Sequence, residues 1–208
     1  MGRAVQIAPC GAELLNSSFA GSRKGVPVKG KQDMLTDGKY AVMTVCTGNI
    51  CRSPMAEIVL RKYVADAGLD SSVEVRSSGV SSEEQGNSID PRARRVLRER
   101  GYGLPGSHYA HRITADEIRS TDLFLPMTAA HMRSLLRQIP SGDSGKVHMY
   151  RSFDPKLPQP EAGHEYTIDL ADPWYGGPED FETAMDQIET AAPYIVGWIR
   201  RQLQANTN

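Results

Sequence analysis

Cysteine is scarce in this chain. Cys10, Cys46 and Cys51 are all it has, and none follows position 51. So low and odd a number argues against a disulfide framework and favours a reducing compartment. Long apolar runs are missing too. No stretch approaches the ~20 residues of a transmembrane helix, and the N-terminus lacks the continuous apolar segment of a secretory signal. Gln6 stands where a myristoylation motif starting at Gly2 requires Ser or Thr. Charge of neither sign dominates. Lys and Arg number 24 against 25 Asp and Glu, so bulk electrostatics gives no reason to expect nucleic-acid or membrane binding. A cytoplasmic location is expected, with export by a route that uses no signal peptide left open.

What the chain does contain begins with enough material for one domain and its tails: 208 residues, 39% of them apolar. Residues 1–39 are rich in Gly, Ser and Lys, carry a local positive balance and show no sustained periodicity. They are expected to form a flexible N-terminal tail in which Cys10 is incidental. A folded domain over 40–204 and a short C-terminal tail over 205–208 complete the expected organisation.

Within that domain strands and helices alternate. Strands are expected at about 40–46, 73–77, 122–127 and 147–150. Helices are expected at 54–67, 91–100, 128–138 and 178–204, with a short helical turn after Thr114. Gly68 and Gly101 suit helix ends. Pro193 is expected to kink the last helix, whose apolar stripe includes Trp198 as a core residue. Between 151 and 178 lies an irregular segment with five prolines, long enough to suggest a functional loop. The alternation predicts an α/β fold with three layers, α/β/α, around a central four-stranded parallel sheet of order 2-1-3-4. Ligands of such sheets bind beyond the carboxyl ends of the strands.

One stretch stands at that position. Val45-Cys46-Thr47-Gly48-Asn49-Ile50-Cys51-Arg52-Ser53-Pro54 follows the first strand and leads into a helix, with Pro54 suited to a first helical turn. A strand, a tight loop and a helix N-terminus converge backbone N–H groups on one spot, which suits an oxyanion. A thiol must ionise to attack phosphorus, and a helix N-terminus and a nearby cation both favour the thiolate. Both stand beside Cys46 in the sequence. Arg52 offers a planar fork for two phosphate oxygens. Gly48 allows a close approach, and Asn49 tolerates a left-handed backbone and can tie the loop internally. Ser53 can donate to the sulfur, while Thr47 and Ile50 face the substrate or the rim. Cys46 and Cys51 are too far apart for a Cys-x-x-Cys pair, and no metal-ligand cluster accompanies them.

Cleaving a phosphoryl–phenol bond expels a phenolate whose conjugate acid has a pKa near ~10. Protonating it as it leaves calls for a carboxylic acid above the anion site. Asp172-Pro173-Trp174-Tyr175-Gly176-Gly177 supplies one, with Trp174 and Tyr175 able to wall a slot for a phenyl ring. Asp169 is the nearest competitor but lacks the aromatic flank.

Together these motifs resemble the low-molecular-weight protein tyrosine phosphatases over about residues 40–203. Cys46 to Ser53 matches the family's C-x5-R-S loop and Asp172 to Gly176 its acid loop. Ser78-Gly79, Asp90-Pro91-Arg92-Ala93 and His108-Tyr109-Ala110 agree as well, which places Ser78 and His108 as supporting residues. The resemblance implies a phosphocysteine on Cys46, transition-state stabilisation by Arg52 and the loop amides, and Asp172 as acid and then base. Thr47, Gly48, Asn49, Ile50, Cys51, Ser53, Trp174 and Tyr175 would bind substrate. It also implies that Cys51 can form a reversible disulfide with the nucleophile and guard it from oxidation. No cofactor or metal is implied. The expected partners are phosphotyrosyl proteins, with phosphate or vanadate as active-site anions, and the expected state is a monomer or weak dimer.

The chain departs from the family pattern at Thr128, which takes the place of a supporting carboxylate, at His131, near a usual Asn, and at Arg112, displaced by one. Three alternatives follow. Thioredoxin-coupled arsenate reductases share the loop but need later cysteines, which this chain lacks. Protein-arginine phosphatases carry Thr where Ile50 stands, and small aryl or acyl phosphates are further possible substrates. A non-catalytic phosphotyrosine-binding module would be expected to lose Cys46, Arg52 or Asp172, and all three are present.

Overall fold

The structure is a computed structural model that describes residues 38–205. The tail expected over 1–39 therefore lies almost wholly outside the described residues. Lys39 reaches Asp70, its Nζ donating to the carbonyl at 3.0 Å. At the other end Ala205 still belongs to the last helix rather than to a tail.

Three parallel strands carry the architecture: β1 (Tyr40–Cys46), β2 (Val73–Gly79) and β3 (Leu123–Pro126), in the order β2-β1-β3. Strand β1 is central. Val42 pairs with Val75 on one side and Leu123 on the other, and Cys46 ends opposite Gly79. The helices are α1 (Arg52–Asp66), α2 (Pro91–Glu99), α3 (Ala115–Ser120), α4 (Ala129–Leu136) and α5 (Pro178–Ala205). Two-residue alternation divides the core between the two faces of the sheet. Val42, Leu123 and Leu125 join one cluster with residues of α1, α2 and α5. Met43, Val45 and Phe124 join another with Leu135 of α4 and Ile139. Trp198 packs against the first cluster beside His148 and Phe153, with ring centroids 5.3 and 6.0 Å away.

The expected fourth strand is a correction. Val147 makes a single parallel bridge to Phe124, and His148 N–H donates to the Phe124 carbonyl at 3.0 Å. Pairing stops there because Tyr150–Phe153 coils into a 3₁₀ turn that buries Tyr150 under α5, its hydroxyl donating to the Ile188 carbonyl. An aromatic residue that size is better covered by a helix than left on a sheet edge. Helix α5 runs unbroken through Pro193. Among the described residues no helix is long and apolar enough to cross a membrane.

Local sequence explains the helix starts. Thr114 and Glu117 form a reciprocal capping box at α3, and Asp90 caps α2 through the Arg92 amide with Pro91 in the first turn. Helix α1 begins at Arg52, two residues earlier than Pro54 suggested, so Arg52 and Ser53 sit in its first turn.

Candidate active site

The loop from Cys46 to Cys51 leaves the carboxyl end of the central strand and passes directly into α1. Its residues surround an open cleft of about 320 Å³, lined by Cys46, Thr47, Gly48, Ile50, Cys51, Arg52, Asp172, Trp174 and Tyr175, with Glu83 and Glu84 on the far rim. Two segments distant in sequence, the end of β1 and the 3₁₀ turn Pro173–Tyr175, thus meet at one place.

Asn49 holds the loop's shape. Its backbone is left-handed, at φ 61°, and its side chain is fully buried. The amide donates to Ser53 Oγ at 2.9 Å and to Ser77 Oγ at 3.0 Å, while its Oδ1 accepts from the His111 N–H at 3.3 Å. The Asn49 carbonyl lies 2.8 Å from His108 Nε2. Asn49 and Ser53 therefore sit behind the cleft and not on its wall, where a substrate-binding role had been expected. Ser78 lies beneath as well. Its carbonyl accepts from Ser53 Oγ at 3.2 Å, and its own buried hydroxyl has no partner among the described residues.

Ser53 Oγ is also 3.1 Å from Cys46 Sγ. A serine hydroxyl so placed can donate to a thiolate and stabilise it. The first turn of α1 brings its free amides and dipole to the same side of the loop. Arg52 is buried beside them. Its Nη1 donates to the Leu170 carbonyl at 3.1 Å and its Nη2 pairs with Asp172 Oδ2, while Nε is buried without a partner. Both terminal nitrogens are thus engaged, and the buried Nε–H is left without an acceptor among the described residues. An anion is the natural group to satisfy it.

Asp172 is partly exposed over the cleft, its Oδ1 accepting from the Trp174 amide at 3.2 Å. Trp174 is 39% exposed and Tyr175 90%, so these rings form an outer wall rather than core. Asp169 is excluded from the site: its Oδ1 accepts from the Ala129 N–H at 2.7 Å at the start of α4.

Burial, followed by the nearby Asp90 carboxylate, pushes the Cys51 thiol far up, so it stays protonated. Sequence reasoning left three features without a role. Glu83 and Glu84 form an acidic rim, which the adjacent pair in the sequence could have suggested. His131 lies 2.9 Å from Thr47 Oγ1 and 3.0 Å from Thr128 Oγ1. Arg92 ties the acid loop to α2, as developed below. The contacts of the last two that reach the site, His131 to Thr47 and Arg92 to the acid loop, join residues far apart in the chain and leave no local signature.

A sequence model of the low molecular weight phosphotyrosine protein phosphatase family matches residues 41–207. The chain belongs to this family. A low molecular weight protein-tyrosine-phosphatase of Streptomyces coelicolor is 40% identical over 166 residues, covering 79% of this chain and 96% of the relative. The human low molecular weight phosphotyrosine protein phosphatase is 34% identical over 156 residues, covering 74% and 92%. Among solved structures, a protein tyrosine phosphatase of Entamoeba histolytica with Hepes in its active site superposes with a TM-score of 0.71 at 26% identity, covering 79% of this chain and 99% of that one. The YwlE arginine phosphatase of Geobacillus stearothermophilus superposes at 0.64 with 27% identity, covering 80% and 96%.

Proposed function

We propose that the chain is a protein tyrosine phosphatase that hydrolyses phosphotyrosine monoesters in two steps. The observation that carries this reading is the convergence of Cys46, Arg52 and Asp172 on one cleft walled by Ile50, Trp174 and Tyr175. In the first step Cys46 Sγ attacks phosphorus, the S–P bond forms, and the P–O bond to the phenol breaks. Asp172 gives its proton to the departing oxygen. Arg52 and the loop amides hold the equatorial oxygens as charge spreads over them. In the second step Asp172, now a carboxylate, takes a proton from water as that water attacks the phosphocysteine. Phosphate leaves and the thiolate returns, supported by Ser53.

The Arg52–Asp172 pair fits this sequence of events. A phosphate dianion competes with Asp172 for the Arg52 fork.

The second reading is a phosphatase of the same chemistry acting on phosphoarginine, which the similarity to an arginine phosphatase favours. Ile50 on the cleft wall favours the flat aryl ester. Comparing kcat/KM for phosphotyrosyl and phosphoarginyl peptides decides between them. Faster turnover of the phosphotyrosyl peptide is expected, together with Cys46→Ser that binds it without turnover. Faster phosphoarginyl turnover would install the second reading. A wild-type protein inert toward both peptides, with Cys46→Ser binding the phosphotyrosyl peptide equally well, would make this a binding module.

A further inference from the structure

Outside the cleft, a dense group of polar contacts surrounds Arg92, a residue the chemistry above does not use. Its Nε and Nη2 grip the Asp90 carboxylate at 3.1 and 3.0 Å. Its Nη1 reaches the other way and donates to the carbonyls of Trp174 and Gly176 at 3.1 and 3.3 Å. The guanidinium also lies over two rings, 5.3 Å from the Trp174 centroid and 4.6 Å from that of Phe181 in α5. Asp90 in turn is buried, and its amide donates to the Ile50 carbonyl at 2.9 Å. A continuous path therefore runs from the phosphate cradle at Ile50 through Asp90 and Arg92 to the segment just after Asp172.

The ends of the acid loop have their own anchors. Leu170 N–H donates to the Met127 carbonyl at 2.8 Å, and Gly177 N–H to Asp180 Oδ2 at 2.7 Å. Neither fixes the Trp174–Gly176 turn against the cradle. Arg92 does, and the Asp90 contact holds it in place. Burial alone would raise the Asp90 carboxyl, but the hydrogen bonds and charge of Arg92 outweigh that and lower it, so the pair stays ionised.

We propose that Arg92 is a positioning residue for proton transfer: it holds the acid loop against the phosphate cradle so that the Asp172 carboxyl meets the leaving-group oxygen. This rests on Asp172 being the general acid. The planar guanidinium is required because it holds a carboxylate with one edge and two carbonyls with the remaining nitrogen. An ammonium group at this site keeps the charge but cannot hold both partners in fixed directions.

The test uses kcat/KM for a series of aryl phosphates, from dinitrophenyl phosphate to phenyl phosphate, with unfolding temperatures measured alongside. Asp172→Ala is expected to lose about 10²–10⁴-fold on phenyl phosphate and little on the dinitrophenyl ester, whose leaving group needs no proton. Arg92→Ala and Arg92→Lys are expected to lose about 10- to 100-fold on phenyl phosphate, with the dinitrophenyl ester nearly unchanged. In the Asp172→Ala background, Arg92→Lys should cause no further loss on phenyl phosphate, because it acts only through that carboxyl. Should Arg92→Ala fail to fold, Arg92→Lys carries the test alone. Equal losses on both esters, or a further loss in the double variant, with Asp172→Ala still selective, would overturn the role of Arg92 and leave the acid in place. An unselective Asp172→Ala would remove the acid assignment and the inference with it.

Discussion

His131 Nε2 lies 2.9 Å from Thr47 Oγ1, so helix α4 is fastened to the residue immediately after the cysteine. The other ring nitrogen is 3.0 Å from Thr128 Oγ1, and the Thr128 hydroxyl also accepts from the His131 amide at 3.3 Å. Where the family pattern has a carboxylate, this chain has a neutral relay of hydroxyl, imidazole and hydroxyl. Burial, and then the charge of Arg52, push the His131 imidazolium down to about 3.

That shift fixes a pH dependence. Between His131's ordinary value of 6.5 and about 3 the unfolded chain binds a proton that the folded protein refuses. Stability contributed at this site is therefore intact above 6.5 and falls as pH drops, by up to about 1.4 kcal/mol per unit. His131→Gln removes the group that titrates. Urea unfolding at pH 7 and pH 5 should show the wild type losing more stability than the variant; equal losses would place a charged imidazole in the folded site.

Gly79 sets how closely β2 approaches the loop. A Cβ there would stand 2.5 Å from the Thr47 carbonyl oxygen and 3.3 Å from the Asn49 nitrogen, both backbone atoms. At Gly48 the corresponding clash, 2.6 Å, is with Glu84 Cγ, a side chain on the rim. Gly79→Ala is expected to destabilise by about 1–3 kcal/mol and, by shifting the loop, to lower kcat/KM about 10²-fold. Gly48→Ala should displace Glu84 and raise KM with little change in unfolding temperature. Similar effects at the two positions would contradict this distinction.

Asn49 combines a left-handed backbone with buried hydrogen bonds, and two substitutions separate the parts. Asn49→Gly keeps the backbone preference and loses the bonds, while Asn49→Ala loses both. Both variants should be less stable by about 1–3 kcal/mol, since Ser53 and Ser77 lose their buried donor. Alanine should fall below glycine by up to about 1 kcal/mol. Denaturant unfolding measures both, and a glycine variant as stable as wild type would show that the side-chain bonds contribute nothing net.

The parts of the fold that were legible in the sequence are those whose determinants are contiguous. Strand β1, the cysteine loop and α1 follow one another, so one stretch of residue types specifies all three. The acid loop announced itself through Asp172-Pro173-Trp174-Tyr175. Val147 to Tyr150 misled because its short apolar alternation suits a strand, whereas burial of Tyr150 beneath α5 depends on a helix about forty residues later. Arg92 and His131 stand out in the sequence as a motif match and a departure, but their long-range contacts stayed hidden for a related reason. Arg92 meets main-chain carbonyls across the acid loop, and His131 meets a threonine hydroxyl on a distant strand end, and neither partner has a recognisable spacing. The acidic rim at Glu83 and Glu84 lies in a loop whose path sequence patterning does not define.

The hydroxyl of Ser53 has one proton and two acceptors within reach, Cys46 Sγ at 3.1 Å and the Ser78 carbonyl at 3.2 Å. The Asn49 amide already occupies one of its lone pairs and keeps the oxygen in place. The proton can only rotate from one acceptor to the other. When sulfur is negative it is the better acceptor; once sulfur is bonded to phosphorus its appetite for a proton falls and the carbonyl takes over. The two-step reading thus gives the site a rotor that keeps time with the reaction: one O–H bond swings without moving a heavy atom, and it returns to the sulfur as phosphate departs.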